Sequence, residues 1–117
     1  MNKKYEKYIN YIVDDIEPPY FINMRDQYGL SPDEYELVLS KLYKQPVSIK
    51  GRNVFDEQGN NIYYESINGF WEKTEHDNLR NIIYFENANG FWEKREYDEQ
   101  GNMIYAEDSN GYISDRR

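Results

Sequence analysis

The chain has no cysteine among its 117 residues, which excludes disulfides, thiol catalysis and thiolate metal sites together. It has one histidine, His76, and no Ser/His/Asp arrangement, phosphate-cradling glycine loop or His-rich metal spacing, so no standard catalytic or metal chemistry is legible. Apolar residues are scarce at 38%, and no run of them is long enough to span a bilayer. The opening MNKKYEKYINYIVDDI is basic at first but lacks a signal-peptide apolar core, which points to a soluble, cytoplasmic protein. Positive charge is also short, with 14 Lys/Arg against 22 Asp/Glu and a net charge of −8. Generic binding to nucleic acid or an anionic membrane needs the opposite balance. Aromatics are the exception, at 17% with 13 tyrosines. A disordered chain of this charge would be poor in them, so the composition describes one folded domain with a small aromatic core.

The N-terminal segment, residues 1–50, reads as helical. Tyr5, Tyr8, Ile9, Ile12, Val13 and Ile16 recur at spacings of three and four, an amphipathic helix that ends at Glu17-Pro18-Pro19. Tyr20-Phe21-Ile22-Asn23-Met24 reads as an irregular apolar plug. Ser31-Pro32-Asp33-Glu34 is a helix start, with a capping serine, a proline at the first helical position and a glutamate to close a capping box. Tyr35, Val38, Leu39 and Leu42 form the buried stripe of that second helix, bracketed by Gly29 and Pro46. Two such helices need a further layer to cover their stripes.

Residues 51–117 supply it, and they carry most of the acidity, with fourteen Asp/Glu against seven Lys/Arg. Gly69, Gly90 and Gly111 stand 21 residues apart, and Asp56/Asp77/Asp98, Ile62/Ile83/Ile104, Tyr63/Tyr84/Tyr105 and Glu65/Glu86/Glu107 keep the same register. This is an internal repeat. Asp-Glu-Gln-Gly-Asn at 56–60 and 98–102 suits a three-residue hairpin loop with glycine in the left-handed position. The Asn-Gly turns, such as Ser66-Ile67-Asn68-Gly69, suit a four-residue loop. A two-residue loop would set Glu65 opposite Glu72, a like-charge clash.

An odd repeat needs one even and one odd loop to hold equivalent side chains on one face. The expectation is therefore an α+β fold: two N-terminal helices packed on an antiparallel meander of about seven strands between residues 53 and 115, in one compact unit. One sheet face collects Ile62, Tyr64, Trp71, Lys73, Ile83, Phe85, Trp92, Lys94, Ile104, Ala106 and Ile113, and is expected to be the core. The other collects Tyr63, Glu65, Phe70, Glu72, Tyr84, Glu86, Phe91, Glu93, Tyr105, Glu107 and Tyr112, and is expected to be solvated.

That second face is the candidate partner-binding surface. Tyrosine and phenylalanine give large contact area at low entropy cost, and interleaved glutamates select a basic partner. Tyr and Glu are equally good residues for a merely soluble strand. His76 fills the strand-end slot of Phe55 and Tyr97 and reads as a variant of them. The middle unit replaces Asp-Glu-Gln-Gly-Asn by Asp77-Asn78-Leu79-Arg80-Asn81. The lost glycine falls to Asn78 or Asn81 to compensate, and Leu79-Arg80 becomes a candidate contact tip. No residue is assigned to catalysis, to a metal or to a cofactor, and the sheet edges offer a route to a homodimer.

KYINYIVDD (7–15) and YGLSPDEYELVLSKLY (28–43) resemble the start of small uncharacterised tailed-phage proteins. YDEQGNMIYAEDSNGY (97–112) is similar to short YD-like repeats of phage and bacterial proteins, and more distantly to those of Rhs-type toxins. The resemblance implies a phage protein acting in the cytoplasm of an infected bacterium, non-enzymatic and of anti-CRISPR type. Its implied partner is a host nuclease or effector complex with a basic surface. A nucleotide-sequestering protein and a virion or self-assembling module are the alternatives.

Overall fold

The computed structural model describes residues 3–117, with side chains from Tyr5 onward. Three helices precede an eight-stranded antiparallel sheet: α1 (Lys3–Asp15), α2 (Tyr20–Asp26), α3 (Pro32–Tyr43), then β1 (Ser48–Lys50), β2 (Asn53–Phe55), β3 (Asn61–Glu65), β4 (Trp71–His76), β5 (Ile82–Asn87), β6 (Trp92–Tyr97), β7 (Met103–Asp108) and β8 (Ile113–Asp115). The strands neighbour one another in chain order, so the sheet is a simple meander. The fold is α+β, helices first. Seven strands fall between residues 53 and 115; β1 is an addition from within the segment expected to be purely helical.

The two expected helices are present. Ile9, Ile12, Val38 and Leu39 are fully buried, as their spacing requires. At the start of α3 the Glu34 carboxylate accepts both the Ser31 backbone N–H (2.9 Å) and the Ser31 hydroxyl (3.1 Å), closing the box from the glutamate side. The third helix, α2, stands where an irregular plug was expected. At seven residues it is too short to form by propensity alone, and it is held from outside, as described below.

The hairpin register departs from expectation by one residue. Each Asn-Gly turn closes with Ser66 N–H on the Phe70 carbonyl (2.7 Å), Asn87 on Phe91 (3.0 Å) and Asp108 on Tyr112 (3.0 Å). Three residues lie between each closing pair, with Gly69, Gly90 and Gly111 at φ of +91°, +85° and +89°. Both turn types are thus three-residue loops. The parity that an odd repeat demands comes instead from β-bulges. Glu75 pairs with Tyr84 but His76 with Ile82, which leaves Ile83 as an inserted residue; Ile62 and Ile104 are inserted in the same way. A bulge adds one unpaired residue to one strand, so it restores the alternation that loop length alone would have broken.

The consequence is a re-sorting of faces. Tyr63 lies opposite Lys73, and Glu65 opposite Trp71, so these four share one face. Tyr84, Lys94, Glu86 and Trp92 share the same face further along. The bulge also lets consecutive residues Ile62 and Tyr63 both turn inward, at 6% and 0% exposure. The core lies between the helices and this end of the sheet: Ile9, Ile12, Met24, Val38 and Leu39 meet Val54, Ile62 and Tyr63, with Ile49 and Trp71 packed against them.

Beyond β4 the helical layer stops. In β5–β8 Ala106 is the one buried apolar residue, so that half of the sheet is a single layer with two accessible faces. The molecule is correspondingly long, 52 × 27 × 24 Å. Among the described residues no helix is long and apolar enough to cross a membrane.

Candidate partner-binding surface

Of the three Tyr-x-Glu pairs, the first is committed to the core. Tyr63 and Glu65 have no exposure at all, so the expectation that they face a partner is corrected: they face α2. Glu65 Oε1 accepts the Phe21 backbone N–H at 2.8 Å and Oε2 accepts that of Ile22 at 3.0 Å. The Tyr63 hydroxyl accepts the Tyr20 N–H at 2.9 Å and donates to Glu65 at 2.6 Å. The first N–H groups of a helix have no partner within it and carry its positive dipole end. Here the sheet satisfies three of them, and a carboxylate meets the dipole. The N-cap residue of α2 is Pro19, which makes no side-chain cap, so this cap is supplied from more than forty residues away. Burial and the bond to Glu65 push the Tyr63 phenol well up. The Arg52 guanidinium, 3.9 Å from Glu65, is the nearest countercharge.

Around this cap the packing is close. Lys73 Nζ sits 5.1 Å over the Tyr20 ring and 5.5 Å over Trp71, within cation–π reach. A side chain at Gly69 would come within 3.2 Å of Ile22 Cδ1, so the start of α2 rests on the first Asn-Gly turn.

The second and third pairs are on the same face but outside the helical layer. Tyr84 and Glu86 are half-buried. Burial first, then the Glu86 charge, raises the Tyr84 phenol. Lys73 is 4.0 Å from Glu86, and Lys94 lies 5.3 Å over Trp92. In the third pair Tyr105 donates to Glu107 at 2.8 Å, a bond that raises its phenol. There Ile113 and Asp115 stand opposite Glu107 and Tyr105, and the Arg117 guanidinium lies 4.0 Å over the Tyr105 ring.

The remaining candidates are elsewhere. Glu72 pairs with Tyr64 and Glu93 with Phe85, so both glutamates point to the opposite face. Phe70 and Phe91 close the Asn-Gly turns, and Phe91 packs on Phe85 with ring centroids 6.1 Å apart. Sequence reasoning therefore joined two surfaces into one. It also missed the apolar part of the second: Ile82, Phe85 and Phe91 line a shallow depression with Glu93 and Arg95, and Ile82 and Met103 are each 37% exposed. Alternation reset at each bulge would have found them.

Leu79 and Arg80 form the exposed tip of the β4–β5 turn. Leu79 is 66% exposed. Arg80 itself holds the left-handed position, at φ +68°, where Asn78 or Asn81 was expected to do so. Asp77 secures the turn by accepting the N–H groups of Leu79 and Asn81, both at 2.9 Å.

One larger groove, of about 650 Å³, lies between α2, α3 and the β1–β2 turn, lined by Phe21, Tyr35, Arg25, Arg52, Asp33 and Glu36 among others. Among the described residues no group of three His, Asp or Glu is placed to hold a metal ion. No family model matches the chain, and no curated protein matches it.

Proposed function

We propose that this protein is a non-catalytic binding module, assembled from 21-residue units, whose partner docks on the uncovered half of the meander. The observation that carries this reading is the single-layer sheet β5–β8. A sheet normally buries one face, yet Ala106 is the one buried apolar residue across these four strands, while aromatic and acidic side chains populate both faces. Exposed apolar surface rimmed by polar residues marks sites of association. The acidic excess of residues 51–117 favours a partner with a basic surface, through faster encounter and better register. Taken with the resemblance to tailed-phage proteins, the reading is an inhibitor of anti-CRISPR type, acting in the host cytoplasm on a nuclease or effector complex. The Leu79-Arg80 tip extends the same surface. A strained non-glycine backbone held at an exposed turn points to selection for something other than folding.

Affinity capture from host lysate across a salt series tests this. The captured protein should dissociate as ionic strength rises, because exposed charges are screened within a Debye length of about 8 Å at physiological salt. Capture indifferent to salt and to Glu86→Lys and Glu93→Lys would sink the reading.

The groove between α2 and α3 favours a second reading. Arg25 and Arg52 beside Tyr35 and Phe21 could hold an anionic aromatic molecule such as a nucleotide signal, although Asp33 and Glu36 oppose it. A thermal shift with cyclic nucleotides that Arg52→Ala abolishes would favour this reading over the first. Assembly that grows with protein concentration would instead favour a self-associating module built through the β1 or β8 edges.

A further inference from the structure

Tyr63, Glu65, Trp71 and Lys73 act as one seat for the start of α2. The two backbone-facing groups take the first N–H groups, and the lysine lies over the first aromatic ring, between Tyr20 and Trp71. Tyr84, Glu86, Trp92 and Lys94 reproduce this set residue for residue, with the same cross-strand pairs, Tyr84 opposite Lys94 and Glu86 opposite Trp92. Lys94 already lies over Trp92, as Lys73 does over Trp71. Where Gly69 abuts Ile22 and Pro19, a side chain at Gly90 would meet nothing within 4 Å. The third set is not equivalent, since Ile113 and Asp115 replace the tryptophan and lysine and Arg117 covers Tyr105.

We propose that the Tyr84–Glu86–Trp92–Lys94 set is a second helix seat, occupied by the N-terminal turn of a helix from a partner protein that carries an aromatic residue in that turn. Three observations define this occupant. The face is continuous with the seat that α2 already fills, so the same stereochemistry extends one step along the sheet. A carboxylate at Glu86 complements the positive end of a helix, which attracts anions within its first turn. The Tyr43 hydroxyl, at the edge of the helical layer, is buried with no hydrogen-bond partner among the described residues; it lines a small pocket with Tyr20, Lys73, Glu75, Tyr84 and Glu86. A helix seated on the second set would pack beside this pocket, much as α2 packs beside α3. The two helices of this chain whose starts are fully described are already capped, α2 by Glu65 and α3 by Glu34, which favours a different protein over a second copy.

This inference rests on the binding-module reading and names what the module takes. The probe is an N-acetylated peptide of residues 17–27, which span α2, extended at its C-terminus by two Glu-Ala-Ala-Ala-Lys blocks to sustain helicity. Titrated into the full chain and followed by amide chemical shifts, it should perturb Tyr84–Glu86 and Trp92–Lys94 with a Kd on the order of 1 mM. Glu86→Gln should weaken it about tenfold, and Glu57→Gln, in the exposed β2–β3 turn, should leave it unchanged. Shifts confined to Tyr63–Glu65, shifts unaltered by Glu86→Gln, concentration-dependent self-association through this face, or no binding would each overturn the seat. The lysate experiment does not depend on this peptide, so failure of the seat and failure of the binding reading are distinguishable.

Discussion

Replacing Glu65 by glutamine tests whether α2 is held by the sheet. The substitution keeps volume and shape but exchanges one carboxylate oxygen for an NH2 group. Oε1 receives both Phe21 N–H and the Tyr63 hydroxyl, and Oε2 receives Ile22 N–H. The amide oxygen can keep the first two, leaving the new NH2 facing the Ile22 N–H, donor to donor. An unsatisfied buried donor costs about 1–3 kcal/mol, and the two retained bonds fall from charge-assisted to neutral strength, about 1 kcal/mol each. Relief from burying a carboxylate offsets part of this. The loss of the 3.9 Å contact to Arg52 adds less than about 1 kcal/mol, since that guanidinium is partly exposed. The net expectation is a destabilisation of about 2–4 kcal/mol, or roughly 8–16 °C in Tm for a chain of this size. The same change at Glu86, 36% exposed and 4.0 Å from Lys73, or at Glu107 should fall within about 0.5 kcal/mol. Equilibrium urea unfolding of the three variants, with thermal circular dichroism beside it, reads the difference. Equal costs at the three positions, or a Glu65→Gln protein as stable as the parent, would refute the reasoning.

Arg80→Gly should stabilise the chain by about 1 kcal/mol, because a left-handed backbone at φ +68° costs an L-residue about 1–2 kcal/mol that glycine avoids; a lower urea midpoint would count against this. If Arg80 is part of a contact tip, Leu79→Glu with Arg80→Gly should fold normally and bind its partner more weakly, and unchanged binding would end that assignment. The turn aspartates give a pH signature. Bonds from the Asn81 backbone N–H hold the Asp77 carboxyl below its ordinary 3.8, and those from Asn102 do the same for Asp98. Burial pushes Asp56 upward, but the Asn60 bonds prevail and its value is lowered as well. A folded pKa below the unfolded one contributes stability above the unfolded value, and that contribution is lost as pH falls through the folded value. The gap in urea midpoint between the parent and Asp77→Asn should therefore be constant from neutral pH to about pH 5 and close below about pH 4. A gap that widens on acidification would contradict the assignment.

Much of the architecture was legible because it rests on local signals. The stripes of Ile9, Ile12, Val38 and Leu39, the Ser31–Glu34 start and the glycines of the turns each report the backbone within a few residues. Two features were not legible, for two different physical reasons. The seven residues of α2 are stabilised by Tyr63 and Glu65, so nothing within Tyr20–Asp26 announces a helix. The face assignment failed because the Asn-Gly loops hold three residues rather than four, and because alternation was counted straight through Ile62, Ile83 and Ile104, where bulges insert an unpaired residue. A one-residue slip moves every side chain across the sheet. That slip placed Glu65 in solvent and joined Tyr63, Glu65, Tyr84 and Glu86 to Glu72 and Glu93, which lie on the opposite face. The parity requirement of an odd repeat was sound; its source was a bulge rather than a loop. At the candidate site, Tyr84, Glu86, Tyr105 and Glu107 do share one face, whereas Tyr63 and Glu65 are spent on folding.

Amide hydrogen exchange on the protein alone and with its captured partner tests the central claim most directly, that the uncovered half of the meander is the binding surface. Protection reports local opening, and the account predicts that binding slows exchange in Ile82–Asn87 and Trp92–Tyr97 while leaving α1 and α3 unchanged. Protection gained in the helices or around the Arg25–Arg52 groove, with β5 and β6 unaltered, would contradict it.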